Sequence, residues 1–316
     1  MPTPERVEHF VTLFDSTFLP MGLCLHDSLM RHAGAFHLWI LCVDDRVEDQ
    51  LARLQLPNVS LIALHSVETE ELLRVKPGRS KGEYCWTLTP FTPGFVFARD
   101  ASIERVTYLD SDIFFFDQPQ MLLKEFEQSG KHILITDHAY DPDYDYTEQS
   151  GRYCVQFMTF RNTPQARTVT RWWQERCIEW CYDRNEPGRF GDQKYLDDWP
   201  ERFGDAVHVL RQFERTLAPW NVRYFETRDG FLKADFYHFH GFRILNRRIA
   251  LLFHDFRIGA GGLKLYDGYV TCMRGVLRRL ASLGIKPPSR PMPPGIRGSR
   301  DLLSKWLSKR VAFRRL

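Results

Sequence analysis

Apolar and polar residues alternate in blocks along the first sixty residues, and the blocks predict strands and helices in turn. Apolar runs that end in polar residues predict strands at 9–14, 36–43 and 59–64. Apolar residues three and four positions apart predict helices at 19–32 and 47–54. Because parallel strands need long crossovers between them, this order predicts an α/β fold with a mostly parallel, Rossmann-type sheet flanked by helices.

Five later apolar runs predict further strands, at 105–109, 113–116, 132–136, 154–160 and 235–240. A helix is predicted over 83–98, although that segment contains Pro90 and Pro93. A second helix is predicted to begin at Thr163-Pro164, a favourable cap and first position, and to run to about residue 182.

Basic residues are concentrated at the C-terminus. Residues 286–316 contain nine Lys and Arg but one acid, Asp301, whereas the whole chain has a net charge of only +3. Apolar residues in this tail have helical spacing: Leu302, Leu303, Trp306, Leu307 and Val311. We therefore expect a main domain over 1–270 and a basic, proline-rich extension over 271–316 that contains an amphipathic helix.

The predicted tail helix has two interpretations. An apolar face bordered by Lys and Arg suits an anionic membrane surface, with Trp306 at the interface. The alternative is a helix that packs its apolar face on the main domain. Nucleic-acid binding is not expected, because no recognised nucleic-acid motif accompanies the charge.

Composition adds limits on the compartment and the class of protein. Hydrophobic residues make up 43% and charged residues 26%, which is typical of a globular chain. The N-terminus lacks the basic and apolar segments of a signal peptide, so we expect the mature chain to begin near Met1 and to stay in the cytosol. The seven cysteines are odd in number and lie mostly in apolar segments, which indicates reduced thiols.

The triplet Asp110-Ser111-Asp112 is the main candidate for chemistry. Apolar VTYL precedes it and apolar IFFF follows it, so its carboxylates lie at the end of a predicted buried strand. Open α/β sheets bind ligands in the crevice at such strand ends. Two carboxylates there suit Mg²⁺ or Mn²⁺. The alternative is a pair of acids that cap a loop, and Asp141 and Asp143 form a similar triplet in a polar loop.

Two further segments carry candidate ligands or polar contacts. His238 and His240 alternate around Phe239 in a predicted strand, so both imidazoles share a face and one could complete a metal site; buried core histidines are the alternative. Asp192 and Gln193 offer acceptors and an amide donor suited to sugar hydroxyls, although Asp192 could simply cap a helix.

No dinucleotide-binding or P-loop glycine motif is present. Several other segments, taken in chain order, resemble the motifs of a known family. The chain resembles bacterial GT-A-fold glycosyltransferases, most closely those of glycosyltransferase family 8. The segments that carry the resemblance are HFVTLFDSTFLPMGLCLHDSL, VTYLDSDIFFF, FGDQKYL, APWN and FYHFHGFR. They span about residues 9–245. The usual Asn-Ser/Thr-Gly stretch is replaced by Tyr153-Cys154-Val155-Gln156, and the usual Lys-Pro-Trp by Phe242-Arg243-Ile244.

The resemblance implies roles for individual residues. Asp110 and Asp112 would bind Mn²⁺ or Mg²⁺, with His238 as the third ligand and His240 as the alternative to it. Asp192 and Gln193 would face the reacting sugar as catalytic residues. The nucleotide-sugar donor would be held by Thr12, Phe14, Asp15, Lys81, Asp110, Ser111 and Gly241.

The expected function is therefore metal-dependent transfer of a sugar from a nucleotide diphosphate, a UDP-sugar, to an acceptor hydroxyl. The resemblance implies a retaining hexosyltransferase. A glycan or lipid-linked acceptor in bacterial surface polysaccharide or lipopolysaccharide synthesis would fit a cytoplasmic enzyme that is peripheral on the inner membrane face. The alternatives are a nucleotidyltransferase and a non-catalytic membrane-associated binding protein.

Overall fold

The computed structural model describes residues 6–293 and 298–316, and its sheets account for the site's position. The strands within those ranges are β1 (Glu8–Phe14), β2 (Phe36–Cys42), β3 (Val59–Ala63), β4 (Arg105–Leu109), β5 (Ile113–Phe115), β6 (Ile133–Asp137), β7 (Tyr153–Arg161), β8 (Val207–Val209), β9 (Thr216–Leu217), β10 (Phe236–His238), β11 (Arg243–Asn246), β12 (Ile249–His254) and β13 (Val311–Arg315). The central sheet has the order β3-β2-β1-β4-β7-β6-β8. The first four strands in this order, β3, β2, β1 and β4, are parallel to one another. Strand β7 runs antiparallel to both β4 and β6. The predicted mostly parallel sheet is confirmed.

Helices flank this sheet, as the spacing of apolar residues predicts. They are α1 (Leu19–His32), α2 (Asp45–Leu54), α3 (Glu70–Val75), α4 (Lys81–Leu88), α5 (Thr92–Arg99), α6 (Gln120–Ser129), α7 (Thr147–Ser150), α8 (Pro164–Glu179), α9 (Trp199–Arg202), α10 (Val222–Asp229), α11 (Ala260–Ser282) and α12 (Ser299–Leu307). The caps follow from the sequence: Asp44 accepts the Val47 amide at the start of α2, and Thr163 accepts that of Ala166 at the start of α8.

The segment predicted as one helix over 83–98 forms two helices, so that prediction is wrong. A single 3₁₀ turn at Thr89–Phe91 separates α4 from α5. Proline has no amide hydrogen to donate, so it fits the first turn of a helical segment and disrupts the interior. Pro90 lies at the start of the 3₁₀ turn and Pro93 at the start of α5, which accounts for the break.

Two apolar cores cover the two faces of the central sheet. Alternate residues of β1 enter different cores: Phe10 packs with residues of α1 and α11, whereas Val11 packs with Trp173 of α8. Both faces of β1 are therefore buried, as expected for a strand in the middle of a parallel sheet. This covering leaves the strand ends, rather than the sheet faces, to form a site.

A second, three-stranded sheet of order β5-β10-β9 continues from the end of β4. Three residues separate the end of β4 from the start of β5, and β5 runs antiparallel to β10, with His238 opposite Ile113. Residues 110–112 connect β4 to β5. The pairing therefore brings the end of β10 beside this connection.

The C-terminal part of the chain packs on the main domain through a long helix and a third sheet. Helix α11 contacts α1, and the third sheet has the order β11-β12-β13. The boundary expected after residue 270 falls inside α11. Strand β13, near the end of the chain, pairs with β12 of the preceding part. The division into a catalytic domain and an extension stays a prediction.

The amphipathic tail helix forms, but it ends before Val311. Helix α12 stops at Leu307, and Lys309 then adopts a left-handed backbone with φ of 57°. This reversal sends Val311 into β13, so its place on the helix face is wrong. The predicted proline-rich stretch falls in part on residues 294–297, which lie outside the described residues, as do residues 1–5 at the expected start of the chain.

Two further observations concern membranes and cysteines. Across residues 6–293 and 298–316, no helix has both the length and the apolar character required to cross a bilayer. All seven cysteines are described, and each is a free thiol; six are buried and Cys85 is partly buried. The placement of the cysteines in apolar surroundings is confirmed, and their reduced state stays a prediction.

Candidate active site

Three side chains that can bind a metal ion meet at the carboxyl end of β4. We call Asp110, Asp112 and His238 the strand-end triad; one ligand atom from each lies within 4.8 Å of the others. The His238 Nε2 atom is 3.1 Å from Asp112 Oδ1 and 3.8 Å from Asp110 Oδ2. His238 is separated from the aspartates by more than 120 residues of sequence, so the fold alone brings them together.

Backbone pairing explains why the triad forms. The Asp110 amide donates to the Gln156 carbonyl of β7 at 3.0 Å, and the Phe239 amide donates to the Asp112 carbonyl at 2.9 Å. The first bond fixes the end of β4, and the second extends the pairing of β5 with β10. The connection 110–112 is therefore held between two sheets.

Neighbouring side chains contact two members of the triad. The Tyr108 hydroxyl donates to Asp110 Oδ1 at 2.9 Å. The Gln156 side-chain oxygen lies 2.9 Å from His238 Nδ1. His238 and Gln156 are both buried, and the two aspartates are only partly exposed. The triad is thus a partly buried cluster held by neighbouring side chains and not a group of fully solvated side chains.

Burial and mutual charge shift the triad's protonation equilibria. Burial, together with the charge of Asp112, raises the pKa of Asp110 to about 6, despite the opposing effect of His238. Burial also opposes ionisation of Asp112, but His238 outweighs it and the pKa of Asp112 lies below its usual value. Burial opposes a charged His238, yet Asp112 outweighs that and raises the pKa of His238 well above its ordinary value.

The donor atoms of the triad suit a divalent cation. Two carboxylates supply hard oxygen ligands and one imidazole supplies nitrogen, a set compatible with Mn²⁺ and Mg²⁺. The His238 Nε2 atom faces the carboxylates, as a third ligand must. The residues present therefore fit the metal that the resemblance implies.

His240, the alternative ligand, lies beside the triad but is not part of it. Its ring packs edge-on against Trp220 at 5.6 Å and against His238 at 5.7 Å, centroid to centroid. His238 is buried whereas His240 is exposed, because β10 ends at His238 and the strand alternation does not extend to His240.

Asp15 and Lys81, two of the predicted donor residues, meet at the end of β1. The Lys81 Nζ atom lies 3.0 Å from Asp15 Oδ2 and 3.2 Å from Asp44 Oδ2. Asp15 also accepts hydrogen bonds from the amide and the hydroxyl of Thr17. Lys81 itself remains more than half exposed, so this ionic network is open to solvent on one side.

Thr12 and Phe14 are placed differently from the other predicted donor residues. Both are buried in β1, and the Phe14 ring packs so closely on α1 that a Cβ at Gly22 would lie 2.4 Å from it. The Thr12 hydroxyl has no hydrogen-bond partner within the described chain. Both side chains are therefore buried inside the domain.

Ser111 and Gly241 flank the triad in sequence. Ser111 is buried between the two aspartates. Gly241 has φ of +80°, a left-handed conformation that favours glycine, and lies just beyond the end of β10. It also approaches His254, since a Cβ there would be 3.5 Å from the ring.

Asp192 and Gln193, the predicted catalytic residues, differ in how their side chains are held. Burial, followed by the charge of Asp110, raises the pKa of Asp192 to about 8. Its Oδ2 atom is buried without a hydrogen-bond partner in the described residues. The Trp173 indole donates to the Asp192 carbonyl at 2.8 Å, whereas Gln193 donates its amide to the Ser150 carbonyl at 2.7 Å.

The sequence did not single out Arg290, which is one of the nine Lys and Arg residues in the C-terminal tail. Its guanidinium carbon lies 4.7 Å from the Phe18 ring centroid, and its amide donates to the Ile244 carbonyl. Burial lowers the pKa of Arg290, and the charges of Asp112 and Asp15 oppose that shift. In the described part of the chain, no acid forms an ion pair with this half-buried guanidinium. No motif marks it, because the tail's path over the domain is a tertiary property.

Sequence reasoning also missed a second group of metal-capable side chains. Asp45 and Glu48 in the first turn of α2 and His65 after β3 have ligand atoms within 4.8 Å of one another. We call these three residues the surface cluster. Asp45 and His65 are exposed and Glu48 is partly exposed. Among the described residues, no side-chain hydrogen bond holds any of the three.

Comparisons with known proteins identify relatives and a common fold. No family model matches the chain. It is 32% identical over 250 residues to YfnD, an uncharacterized protein of Bacillus subtilis, covering 76% of this chain and 79% of YfnD. It is 29% identical over 251 residues to YfnF, also an uncharacterized protein of B. subtilis, covering 75% of this chain and 82% of YfnF.

Two solved structures have a similar fold at low sequence identity. The galactosyltransferase LgtC, in complex with donor and acceptor sugar analogues, has a TM-score of 0.52 and 12% identity, covering 92% of this chain and 99% of LgtC. The bifunctional glycosyltransferase WbbM has a TM-score of 0.53 and 13% identity. That match covers 88% of this chain and 52% of WbbM.

Proposed function

The chain belongs to the same family as YfnD and has the GT-A fold, and from this premise we propose that it is a metal-dependent glycosyltransferase. It would move a sugar from a nucleotide diphosphate, a UDP-sugar, to an acceptor hydroxyl. The strand-end triad is the observation that carries the proposal, because its two carboxylates and imidazole meet at the ligand-binding edge of the sheet.

Asp110, Asp112 and His238 would hold Mn²⁺ or Mg²⁺. Such a cation supplies positive charge for the diphosphate that leaves with the nucleoside. The two carboxylates alone would repel a diphosphate, so this part of the crevice needs a cation to accept the donor. His238 adds the third ligand without adding negative charge.

Cationic side chains would neutralise the rest of the diphosphate. Lys81 is shared between Asp15 and Asp44, so it would have to leave one of them to reach a phosphate. Arg290 has its guanidinium beside Phe18 and is influenced by Asp112 and Asp15. Because arginine forms charge-assisted hydrogen bonds to phosphate, Arg290 is the better placed of the two cations.

Other crevice residues would bind the donor or the reacting sugar. Ser111 and Gly241 lie next to the metal ligands, and Thr12 and Phe14 would support the nucleoside from within β1. Gln193 would stabilise the developing positive charge of the sugar. Asp192, with a pKa of about 8, is protonated at pH 7 and would donate a hydrogen bond to a sugar hydroxyl. A protonated acid is a poor nucleophile, so we assign no covalent intermediate to a retaining hexosyl transfer.

The released nucleotide tests this function. The purified protein is incubated with a panel of sugar nucleotides and Mn²⁺, and the products are identified by chromatography and mass spectrometry. Release of a nucleoside diphosphate that stops in EDTA is expected. Pyrophosphate release from nucleoside triphosphates would favour a nucleotidyltransferase instead. Binding of a sugar nucleotide without turnover, with every acceptor class supplied, would favour a non-catalytic binding protein.

The exposed side of α12 supports a further proposal, that the protein is peripheral on the inner face of the cytoplasmic membrane. Leu302 packs in a small cluster with Leu251 and Val311, but Leu303, Trp306 and Leu307 are 55%, 60% and 67% exposed. Arg300, Lys309 and Arg310 lie near this apolar side in sequence and are exposed, whereas Lys305 pairs with Asp255. Each cation near an anionic surface contributes about 1 kcal/mol. A lipid-linked or growing surface glycan would then be the acceptor.

Vesicle binding tests the tail. The wild-type protein should bind vesicles that contain phosphatidylglycerol at low salt and should lose binding as salt rises. The double variant L303S/W306S should bind at least tenfold less, while Phe231→Ser, which alters another exposed aromatic residue, should bind normally. Donor turnover in solution should be the same in all three proteins. Equal vesicle binding by all three would remove the membrane proposal and leave the function above unaffected.

A further inference from the structure

We infer that Gln156 is a positioning residue that orients the His238 imidazole and thereby sets the affinity of the strand-end triad for a divalent cation. The inference concerns the metal site of the proposed function and rests on it. It starts from one contact, the 2.9 Å distance between Gln156 Oε1 and His238 Nδ1. Gln156 lies on β7, outside the triad.

The two nitrogen atoms of His238 have opposite tasks. The Nε2 atom faces the carboxylates, 3.1 Å from Asp112 and 3.8 Å from Asp110. To bind a cation there, Nε2 must carry a lone pair, so the ring proton must be on Nδ1. An amide oxygen beside Nδ1 can only accept a hydrogen bond. The Gln156 oxygen therefore selects the ring form that leaves Nε2 free for the cation.

The other end of the Gln156 amide supports this role. Its Nε2 atom is buried and has no hydrogen-bond partner within residues 6–293 and 298–316. A buried donor left without a partner costs about 1–3 kcal/mol. Among the described contacts, the bond to His238 is therefore the one that the Gln156 side chain makes. A residue kept only to stabilise the core would be better replaced by an apolar one of similar size.

Cys154 is the competing neighbour. Cys154 is buried two residues before Gln156 on β7. Its thiol lies close enough to the His238 imidazole to form a hydrogen bond with it. A thiol is a weak acceptor compared with an amide oxygen. We therefore assign the orientation of the ring to Gln156 and not to Cys154, and the two can be separated by mutation.

Mn²⁺ affinity and the Nδ1 proton test the inference together, without any sugar nucleotide. Calorimetry gives the Mn²⁺ dissociation constant. Selective ¹⁵N labelling of histidine gives the resonance of the His238 Nδ1–H group in the metal-free protein, assigned by its loss in His238→Asn. Gln156→Met keeps the side-chain volume but removes the amide oxygen. It should weaken Mn²⁺ binding by about 10–100-fold, and the slowly exchanging Nδ1–H resonance should be lost.

Three variants control this measurement. Gln156→Glu retains an acceptor oxygen and should retain both the resonance and tight Mn²⁺ binding. Cys154→Ala should leave both close to wild type. Thr159→Val removes another buried side-chain hydrogen bond from β7, the 2.9 Å contact to Thr107, and should leave Mn²⁺ affinity unchanged.

Each outcome decides the inference. Wild-type Mn²⁺ affinity in Gln156→Met overturns it. Loss of the resonance in Cys154→Ala but not in Gln156→Met transfers the role to the thiol and also overturns it. If the wild-type protein binds no Mn²⁺, the metal site of the proposed function fails and the effect on affinity fails with it. The Nδ1–H resonance then still decides whether Gln156 orients the ring.

Discussion

The strand-end triad and the surface cluster contain the same kinds of ligand, two carboxylates and one imidazole. In each group the ligand atoms lie within 4.8 Å of one another. They differ in their surroundings. Tyr108 and Gln156 contact the triad, and its histidine is buried. The surface cluster has no such support among the described residues. Proximity of ligand atoms is therefore shared by both groups, whereas burial and supporting hydrogen bonds distinguish them.

The surface cluster has a structural explanation that the triad lacks. Asp45 and Glu48 occupy the first turn of α2, where acidic side chains interact favourably with the helix dipole. Water solvates their charges, so they need no cation. The triad instead holds two carboxylates in a crevice where burial raises the pKa of Asp110 to about 6. The comparison teaches that a candidate metal site is distinguished by carboxylate charge that is buried and that water does not stabilise.

Substituting matched aspartates should show the largest difference between the two groups. Asp112→Asn removes a ligand and should lower kcat/KM for the donor about a thousandfold, equivalent to about 4 kcal/mol of lost transition-state stabilisation. Asp45→Asn should change it less than twofold. Steady-state kinetics with Mn²⁺ and thermal melts measure both. Full activity of Asp112→Asn, or of the wild type in EDTA, would contradict the assignment of the triad.

Histidine substitutions should sharpen the comparison. His238→Ala should weaken Mn²⁺ binding about 100-fold, because it removes one of three protein ligands. His65→Ala and His240→Ala should each change the dissociation constant less than threefold. Calorimetry of the metal-free proteins measures this. A larger loss in His240→Ala than in His238→Ala would make His240 the ligand.

Cations near the two groups should also differ in effect. Arg290→Met should raise the dissociation constant for UDP about tenfold, since a charge-assisted hydrogen bond contributes about 1.5–3 kcal/mol. Arg46→Met, beside the surface cluster in sequence, should have no effect. Fluorescence titration with UDP in the presence of Mg²⁺ reports the affinity. Unchanged affinity in Arg290→Met would remove this residue from the donor site.

The smallest expected effect concerns stability and the burial of Asp192. Its pKa of about 8 in the folded chain exceeds the ordinary 3.8, so the folded state binds one more proton between those pH values. The metal-free protein should therefore lose stability as pH rises from about 4 to 8. Asp192→Asn should flatten this slope and raise the melting temperature at pH 8 by a few degrees. Asp45→Asn should retain the wild-type slope.

The central sheet and the aspartate pair could be predicted because their signals are local. Apolar runs on both sides of Asp110-Ser111-Asp112 indicate a buried strand end, and the structure has one there. The choice between His238 and His240 could not be made from alternation. It depends on the register of β10 against β5 and on where β10 ends.

Other parts of the fold were missed for identifiable reasons. Helix α11 begins with glycines at 261 and 262 and contains two more, Gly268 and Gly275, which weaken the helical signal. Strand β13 exists because it pairs with β12, a partner about sixty residues earlier. Arg290 and Gln156 gain their positions from tertiary contacts, so no spacing of residues could have identified them.

The last strand of the chain has a geometric consequence. Helix α12 is fixed to the domain on one side by β13 and by the ion pair of Lys305 with Asp255, 2.6 Å apart. Strand β11 of the same sheet begins two residues after Gly241, next to the triad. A surface that binds α12 would therefore lie at a set height and tilt relative to the crevice. Under the proposed membrane binding, the distance from that surface to the triad would limit which acceptors reach the site.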